Sequence, residues 1–109
     1  MLRASNSGIG ALGQVKYLEK QAWNSLHNGD VALAIKQFKT AIRLVHRLPA
    51  GTVKERAITM HAFPDHWRVG CCLAALGPSH FGRAIGHRKV VCRYFRESSA
   101  IKSAGYRSL

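Results

Sequence analysis

The chain has 109 residues, of which 17 are Lys or Arg and only 5 are Asp or Glu, giving a formal net charge of +12. Its length allows one domain with a modest core, and its 47% hydrophobic residues exclude an ordinary disordered tail. No apolar run approaches the roughly 18 residues that a membrane span requires. An odd count of three cysteines, two of them adjacent, argues against a secreted disulfide framework and favours a reducing compartment.

The N-terminal segment contains no acidic residue before Glu19 and carries Arg3 and Lys16 among Ala, Ser, Gly and Leu. This composition is compatible with a mitochondrial targeting segment, although the segment is poor in arginine. A flexible arm rich in Gly and Ser is the alternative that the same composition supports. We interpret residues 1–13 as an extended basic arm, because the glycines within it discourage a regular helix.

Two helices joined by a tight turn are predicted next. The first runs from about Gln14 to Asn28, where Asn28-Gly29 stops it. Asp30 caps the second helix, which continues to about Arg47, by accepting the free N–H groups of its first turn. One face of the second helix is apolar and consists of Val31, Ala34, Ile35, Phe38, Ala41, Ile42, Val45 and Leu48. We expect this face to pack against the first helix rather than to lie on lipid.

A third helix is predicted after the chain break at residues 49–51, which contain Pro and Gly. The pattern Thr52-x-x-Glu55 is typical of a capping box and opens this helix. Pro64 interrupts it, since proline lacks the backbone N–H and disfavours helix at the preceding residue. Pro64 can equally begin a further helix, which would end at Gly77.

The C-terminal part of the chain is predicted to hold one more long helix and one short one. Ser79 caps the long helix, which spans about His80 to Phe95. The short helix begins near Ser98 and ends before Gly105. No convincing strand pattern is present in the chain, because its apolar residues recur at helical spacing.

Residues 18–49 form a two-helix pattern with small residues where the helices would cross. Ala22 lies in the first helix, Gly29-Asp30 at the turn, and Ala34 early in the second helix. The remaining packing positions of the second helix are small or apolar: Ile35, Phe38, Ala41 and Leu44. In this register the segment resembles a tetratricopeptide repeat, a two-helix unit of about 34 residues. The resemblance implies a helical module that binds peptides or scaffolds assemblies and is not catalytic by itself.

The match to this family is partial, and a second, degenerate unit follows it. Gln21 and Ser25 replace the leucine and tyrosine usual in the first helix, and the closing proline comes late, as Pro49. Residues 65–95 repeat the helix-turn-helix pattern around Gly77. A small helical bundle of another kind is the alternative. Two repeats lie below the usual minimum of about three for independent stability, so we expect neighbours to stabilise the chain.

The sequence therefore predicts an all-α protein of two antiparallel, tetratricopeptide-like helical hairpins, with an extended basic N-terminal arm and a C-terminal tail. The arm covers residues 1–13, the helical domain residues 14–97, and the tail residues 98–109, which include the short helix. We expect the bulky aromatic side chains to lie in the core; these are Trp23, Phe38, Trp67, Phe81 and Phe95.

The sequence offers little for catalysis or metal binding. Zinc ligands come in pairs two to four residues apart, whereas Cys71 and Cys72 are adjacent and His61 lies five positions before His66. We expect Cys71, Cys72 and Cys92 to be small buried residues. The five acids are scattered singly and leave no carboxylate pair or nucleophile–base set. No catalytic group, metal ligand, cofactor or small-molecule substrate is predicted.

Two clusters of basic residues are the candidate functional residues. The first lies on the second helix, opposite its apolar face, and consists of Lys36, Lys39, Arg43 and Arg47. The second lies toward the C-terminus, near His87 and Tyr94, and consists of Arg83, Arg88, Lys89, Arg93, Arg96, Lys102 and Arg107. Arginine forks fit phosphates and aromatic rings stack on exposed bases, so both clusters favour RNA contact. Salt bridges to an acidic protein and a solvated face are the alternatives.

We predict a non-catalytic architectural subunit of a large ribonucleoprotein, specifically a mitochondrial ribosome. This prediction rests on the positive net charge, the small size, the expected order of the chain ends and the N-terminus without acidic residues. Its basic helices would contact rRNA phosphates and neighbouring protein subunits. One alternative is a supernumerary accessory subunit of a mitochondrial respiratory complex or ATP synthase, whose cations would meet acidic chains or lipid head groups. Another is a tetratricopeptide-like adaptor that binds a peptide in a concave groove.

Overall fold

The computed structural model describes residues 9–107, with side chains described for residues 10–93 and for Arg96. This part of the chain is helical apart from its turns, which confirms the predicted all-α class. Its α-helices are α1 (Ile9–His27), α2 (Val31–His46), α3 (Thr52–Ala57), α4 (Phe63–Ala75) and α5 (Phe81–Arg107). A π-helical turn (Ile58–Ala62) joins α3 to α4, and a 3₁₀ turn (Pro78–His80) precedes α5. The predicted order of the chain ends concerns residues 1–8 and 108–109, which lie outside the described part.

Helices α1 and α2 form the first hairpin, as predicted. Gly29 adopts a φ of +81°, which side chains other than glycine rarely tolerate, and this allows the reversal after α1. Asp30 caps α2, because its carboxylate accepts a hydrogen bond of 3.1 Å from the N–H of Leu33. The apolar face of α2 is buried at Ala34, Ile35, Phe38, Ala41, Ile42 and Val45. This burial confirms that the face packs within the protein.

Helices α4 and α5 form the second hairpin, and α4 also packs against α2. Val69 and Leu73 of α4 share a buried cluster with Phe38 of α2 and Ala84 of α5. Gly70 brings α4 and α5 close together, since a Cβ at this position would lie 3.2 Å from the backbone oxygen of Ala84. The arrangement of two helical hairpins therefore agrees with the prediction, while the resemblance to the repeat family stays a prediction.

Two helix boundaries differ from those expected. Helix α1 begins at Ile9, so residues 9–13 are helical and do not belong to an extended arm. Burial outweighs the roughly 1 kcal/mol that each glycine costs in a helix, because Leu12 packs against the cluster that contains Val15 and Val45. Helix α5 is continuous from Phe81 to Arg107, so the short C-terminal helix is not separate.

Two predicted caps act differently from expectation, whereas one of the two roles predicted for Pro64 is confirmed. The N-cap of α3 is Gly51, not Thr52, and no side chain caps this helix. Ser79 lies within the 3₁₀ turn instead of capping α5. Of the two roles predicted for Pro64, the start of a further helix is confirmed, because Pro64 lies in the first turn of α4, where the N–H that it lacks would have no helical partner. The preceding π turn ends with the N–H of Phe63 donating to the carbonyl of Ile58, so the helical path continues.

Candidate anion-binding surface

The basic residues of α2 divide between two sides of the helix. Lys36, Arg43 and Arg47 are exposed and form what we call the outer stripe. Arg43 Nη2 donates a hydrogen bond of 3.0 Å to Thr40 Oγ1, which holds its guanidinium along this stripe. Lys39 is half-buried and lies toward α5, since its charge acts on His87. Three of the four predicted residues of α2 therefore share one exposed surface.

The described basic side chains of α5 are exposed, but they are not equivalent. Arg88 places its guanidinium 4.9 Å from the ring centroid of Trp67, which is a cation–π contact with α4. Its Nη2 atom also lies 3.6 Å from the Sγ atom of Cys71. The remaining exposed cations of this helix are Arg83, Lys89, Arg93 and Arg96. Lys102 and Arg107 lie within α5, and their side chains are outside the described set.

Among the described side chains, no acid pairs with the outer stripe of α2 or with Arg83, Arg88 and Lys89 of α5. Acidic and basic side chains meet where His61 contacts Glu19 at 3.1 Å, and where Arg68 contacts Glu19 at 3.7 Å and Asp65 at 2.7 Å. Asp30 is used as the cap of α2. The positive charge of these six residues therefore faces solvent without an intramolecular acidic partner among the described side chains.

A carboxylate cluster, made of Glu19, His61, Asp65 and Arg68, joins α1, the π turn and α4. Asp65 is completely buried, and its Oδ2 atom has no hydrogen-bond partner in the described structure. Burial, reinforced by the nearby Glu19, raises the pKa of Asp65 to about 8, although Arg68 opposes the shift. Arg68 also lies over the rings of Trp23 and Phe38 at 5.3 and 5.8 Å. We interpret this cluster as structural, since its members bond to one another across three elements.

A pair of histidines lies between α4 and α5. His66 Nδ1 and His87 Nδ1 are 3.1 Å apart, and the two ring centroids are separated by 5.3 Å. Burial, followed by the charges of His87 and His46, lowers the pKa of His66 to about 4. Burial, followed by the charges of Lys39 and Arg83, also lowers the pKa of His87.

The two rings line a cleft of about 260 Å³ that we call the histidine cleft; its lining residues are His66, Arg83, Gly86, His87 and Val90. Among the predicted site residues, Lys39 and Arg83 are thus brought together from two helices around this pair. His87 was predicted to lie near the second basic cluster, whereas His66 was considered only as a zinc ligand, a role that its spacing from His61 excluded. The sequence shows only that each of the two helices contains a histidine. Whether the two rings come into contact depends on how α4 and α5 pack.

Two expectations about burial are wrong. Only Cys72 is buried among the cysteines, and Cys71 and Cys92 are exposed. Of the aromatic residues, Phe38 is completely buried, whereas Trp23, Trp67 and Phe81 are 43%, 41% and 47% exposed. The Phe95 side chain lies outside the described set. The two tryptophans lie at the edges of the core, where arginine side chains cover one face of each ring. Helix α5 packs against the rest of the protein along one side, and about half of the Phe81 side chain remains exposed.

Within residues whose side chains are described, no group of three or more His, Cys, Asp and Glu is arranged to hold a metal ion. No helix in the described part of the chain is long and apolar enough to cross a membrane. No protein-family model matches the sequence, and no curated protein or solved structure is significantly similar to it.

Proposed function

We propose that this protein is a non-catalytic architectural subunit of a large ribonucleoprotein and that it binds RNA phosphates through α2 and α5. A mitochondrial ribosome is the specific assembly that we propose. The acid-free N-terminal segment supports the location, and the small two-hairpin fold supports dependence on neighbouring subunits. The resemblance to a scaffolding repeat family is consistent with an architectural role.

One observation carries this proposal: the outer stripe of α2 and the exposed residues Arg83, Arg88 and Lys89 of α5 have no acidic partner among the described side chains. Lys36, Arg43 and Arg47 follow one side of α2, and Arg83 of α5 lies near Lys39 of α2. Concentrated like charges destabilise a compact chain by self-repulsion, and a polyanion removes this penalty on binding. RNA supplies closely spaced phosphates that arginine forks bind with charge-assisted hydrogen bonds.

The packing of α2 favours RNA over a lipid surface as the anionic partner. A membrane-bound amphipathic helix needs a free apolar face that enters the lipid. In α2 this face is already covered within the protein, with Phe38, Ala41 and Val45 completely buried. The charged face of α2 therefore remains as its available binding surface.

Sedimentation of the tagged protein from mitochondrial lysate, with and without ribonuclease, tests this proposal. The protein is expected to migrate with ribosomal particles and to leave those fractions after RNA digestion. Migration with a detergent-solubilised membrane complex, unchanged by ribonuclease, would contradict the proposal. That result would support the accessory-subunit alternative, in which the cations meet acidic proteins or lipid.

A protein interface on the opposite hairpin face is compatible with either assembly. An apolar cleft of about 500 Å³ lies beside Trp67 and Val91 and includes Phe63 and Cys92 in its lining. Met60 and Ile85 are further exposed apolar side chains of the described residues. Neighbouring subunits would cover these side chains in an assembly.

A further inference from the structure

The histidine cleft has the size and the lining of a site for a single small anion. Its volume is about 260 Å³, and it opens between α4 and α5. His66, His87 and Arg83 supply nitrogen donors, while Gly86 and Val90 complete the wall. An added Cβ at Gly86 would meet no atom within 4 Å, so this side of the cleft is open.

The charged groups that shift the pKa of the two histidines are all basic: each one is cationic or becomes cationic when it is protonated. Helix α2 contributes Lys39 and His46, and α5 contributes Arg83. Asp65, which adjoins His66 in sequence, directs its Oδ1 atom to Arg68 at 2.7 Å instead. The electrostatic potential of the cleft is therefore positive, and an anion is the ligand that this environment favours.

The hydrogen bond between the two rings also determines where an extra proton would go. One ring donates its Nδ1–H to the unprotonated Nδ1 of the other, because the two atoms are 3.1 Å apart. The accepting neutral ring already carries its proton at Nε2. A proton added at Nε2 of the donating ring leaves the hydrogen bond intact. The pair then carries one positive charge and has an N–H donor at both Nε2 atoms.

We propose that the histidine cleft binds one phosphate group through Arg83 and the singly protonated His66–His87 pair, with Lys39 contributing charge from α2. Binding is coupled to proton uptake between the pKa of the free pair and the higher pKa of the phosphate-bound pair, because the negative charge favours the protonated pair. The inference rests on the proposed function in identifying the natural ligand as a phosphate of an RNA backbone. Inorganic phosphate has the same chemistry and is the probe for the site itself.

Histidine NMR of the purified full-length protein tests the site with sodium phosphate, using sodium chloride at equal ionic strength as reference. Phosphate is expected to shift the His66 and His87 resonances and to raise the pKa of the pair by about 1 unit or more. His27, which is exposed at the end of α1, is the internal control and should not respond specifically. Equal effects of phosphate and chloride on all histidines would overturn the inference.

A matched pair of glycine variants tests the position of the ligand without changing any charge. In Gly86→Leu the new side chain extends from the wall of the cleft into the space that the phosphate would occupy. In Gly82→Leu the same side chain enters open space on the same helix, outside the cleft lining. Phosphate affinity should fall at least about tenfold in Gly86→Leu only, because the leucine side chain occupies part of the volume that the phosphate needs. Equal affinities of the two variants would contradict the proposed site.

RNA binding by the same variants separates this inference from the proposed function. If wild-type protein binds phosphate in the cleft but does not bind RNA, the site stands and the proposed function fails. If the protein binds RNA and Gly86→Leu leaves both phosphate and RNA affinity unchanged, the proposed function stands and the cleft is not the phosphate site. If Gly86→Leu weakens both ligands and Gly82→Leu weakens neither, the cleft holds a phosphate of the RNA.

Discussion

Arg68 Nη1 lies 2.7 Å from Oδ1 of Asp65, a carboxyl group with no exposure to solvent. The second oxygen of this carboxyl has no hydrogen-bond partner in the described structure. Burial and the neighbouring Glu19 favour the protonated form, so the pKa of Asp65 rises to about 8 from its usual 3.8. This group makes the stability of the protein depend on pH near neutrality.

Replacing Asp65 with Asn should stabilise the protein at neutral and alkaline pH. The folded state binds the Asp65 proton more tightly than the unfolded state, so stability is lost as pH rises from about 4 to about 8. Asn keeps the shape and an oxygen for Arg68, but it cannot ionise. Urea unfolding at pH 8 should show a gain of at least about 1 kcal/mol, since one pKa unit corresponds to about 1.4 kcal/mol.

The matched control for this variant is Asp30→Asn, because Asp30 is exposed and Asn caps helices equally well. Its stability should follow the wild-type dependence on pH. If wild type and Asp65→Asn show the same pH dependence of stability between pH 5 and 8, Asp65 is ionised in the folded protein and the prediction is wrong.

His66 should produce the opposite dependence at lower pH. Its pKa is lowered to about 4 in the folded state from its usual 6.5, so the unfolded state binds the proton more tightly. The contribution of His66 to the free energy of unfolding is complete above pH 6.5 and is lost as the pH falls toward 4. Because Asp65 opposes this trend, the measurement uses the Asp65→Asn background without phosphate. Adding His66→Gln should make the acid limb of the unfolding profile shallower, and an unchanged limb would rule out this role.

The close approach of α4 and α5 makes Gly70 sensitive to any side chain. A Cβ in Gly70→Ala would lie 3.2 Å from the backbone oxygen of Ala84, which the helix holds in place, and 3.2 Å from Cγ of Arg88. We expect a loss of about 1–3 kcal/mol, as for other overpacked sites. Gly13→Ala is the control, because nothing lies within 4 Å of its added Cβ, and it should gain up to about 1 kcal/mol in α1. Equal urea midpoints for the two variants would contradict this prediction, because α4 and α5 could then move apart without a loss of stability.

Local signals in the sequence were sufficient for the first hairpin. Gly29 permits the turn through its own φ angle, and Asp30 caps the helix through a hydrogen bond to Leu33, three residues later. Both effects are local, so the identity of these two residues predicts the turn and the cap. The spacing of Ala34, Phe38 and Val45 similarly predicts a buried face, because helical periodicity is a property of one element. The basic residues opposite this face could be placed on the surface for the same reason, with Lys39 as the exception at its edge.

The features missed by the sequence analysis depend on packing between elements. Glu19 and Asp65 meet only after α1 and α4 are packed, so acids scattered in sequence gave no indication of a cluster. His66 and His87 come together through the α4–α5 crossing at Gly70. The start of α1 at Ile9 is decided by tertiary burial that outweighs the low helix propensity of glycine.

The central claim is that the protein binds RNA through a basic surface that includes the outer stripe of α2. The direct measurement is the affinity of the purified protein for a fluorescent RNA as a function of salt. Wild-type protein is compared with the triple variant Lys36→Glu, Arg43→Glu and Arg47→Glu on the outer stripe. The control triple variant reverses the same number of charges on exposed residues of α1 and α3: Lys16→Glu, Lys20→Glu and Arg56→Glu.

The account predicts that log affinity of the wild type falls linearly with log salt, and that the outer-stripe variant loses about one unit of slope for each phosphate contact removed. Affinity of this variant at low salt should fall well below that of the control, although both have the same net charge. Equal affinities and equal slopes for the two variants would show that RNA responds only to net charge. That result would contradict an RNA-binding surface on α2.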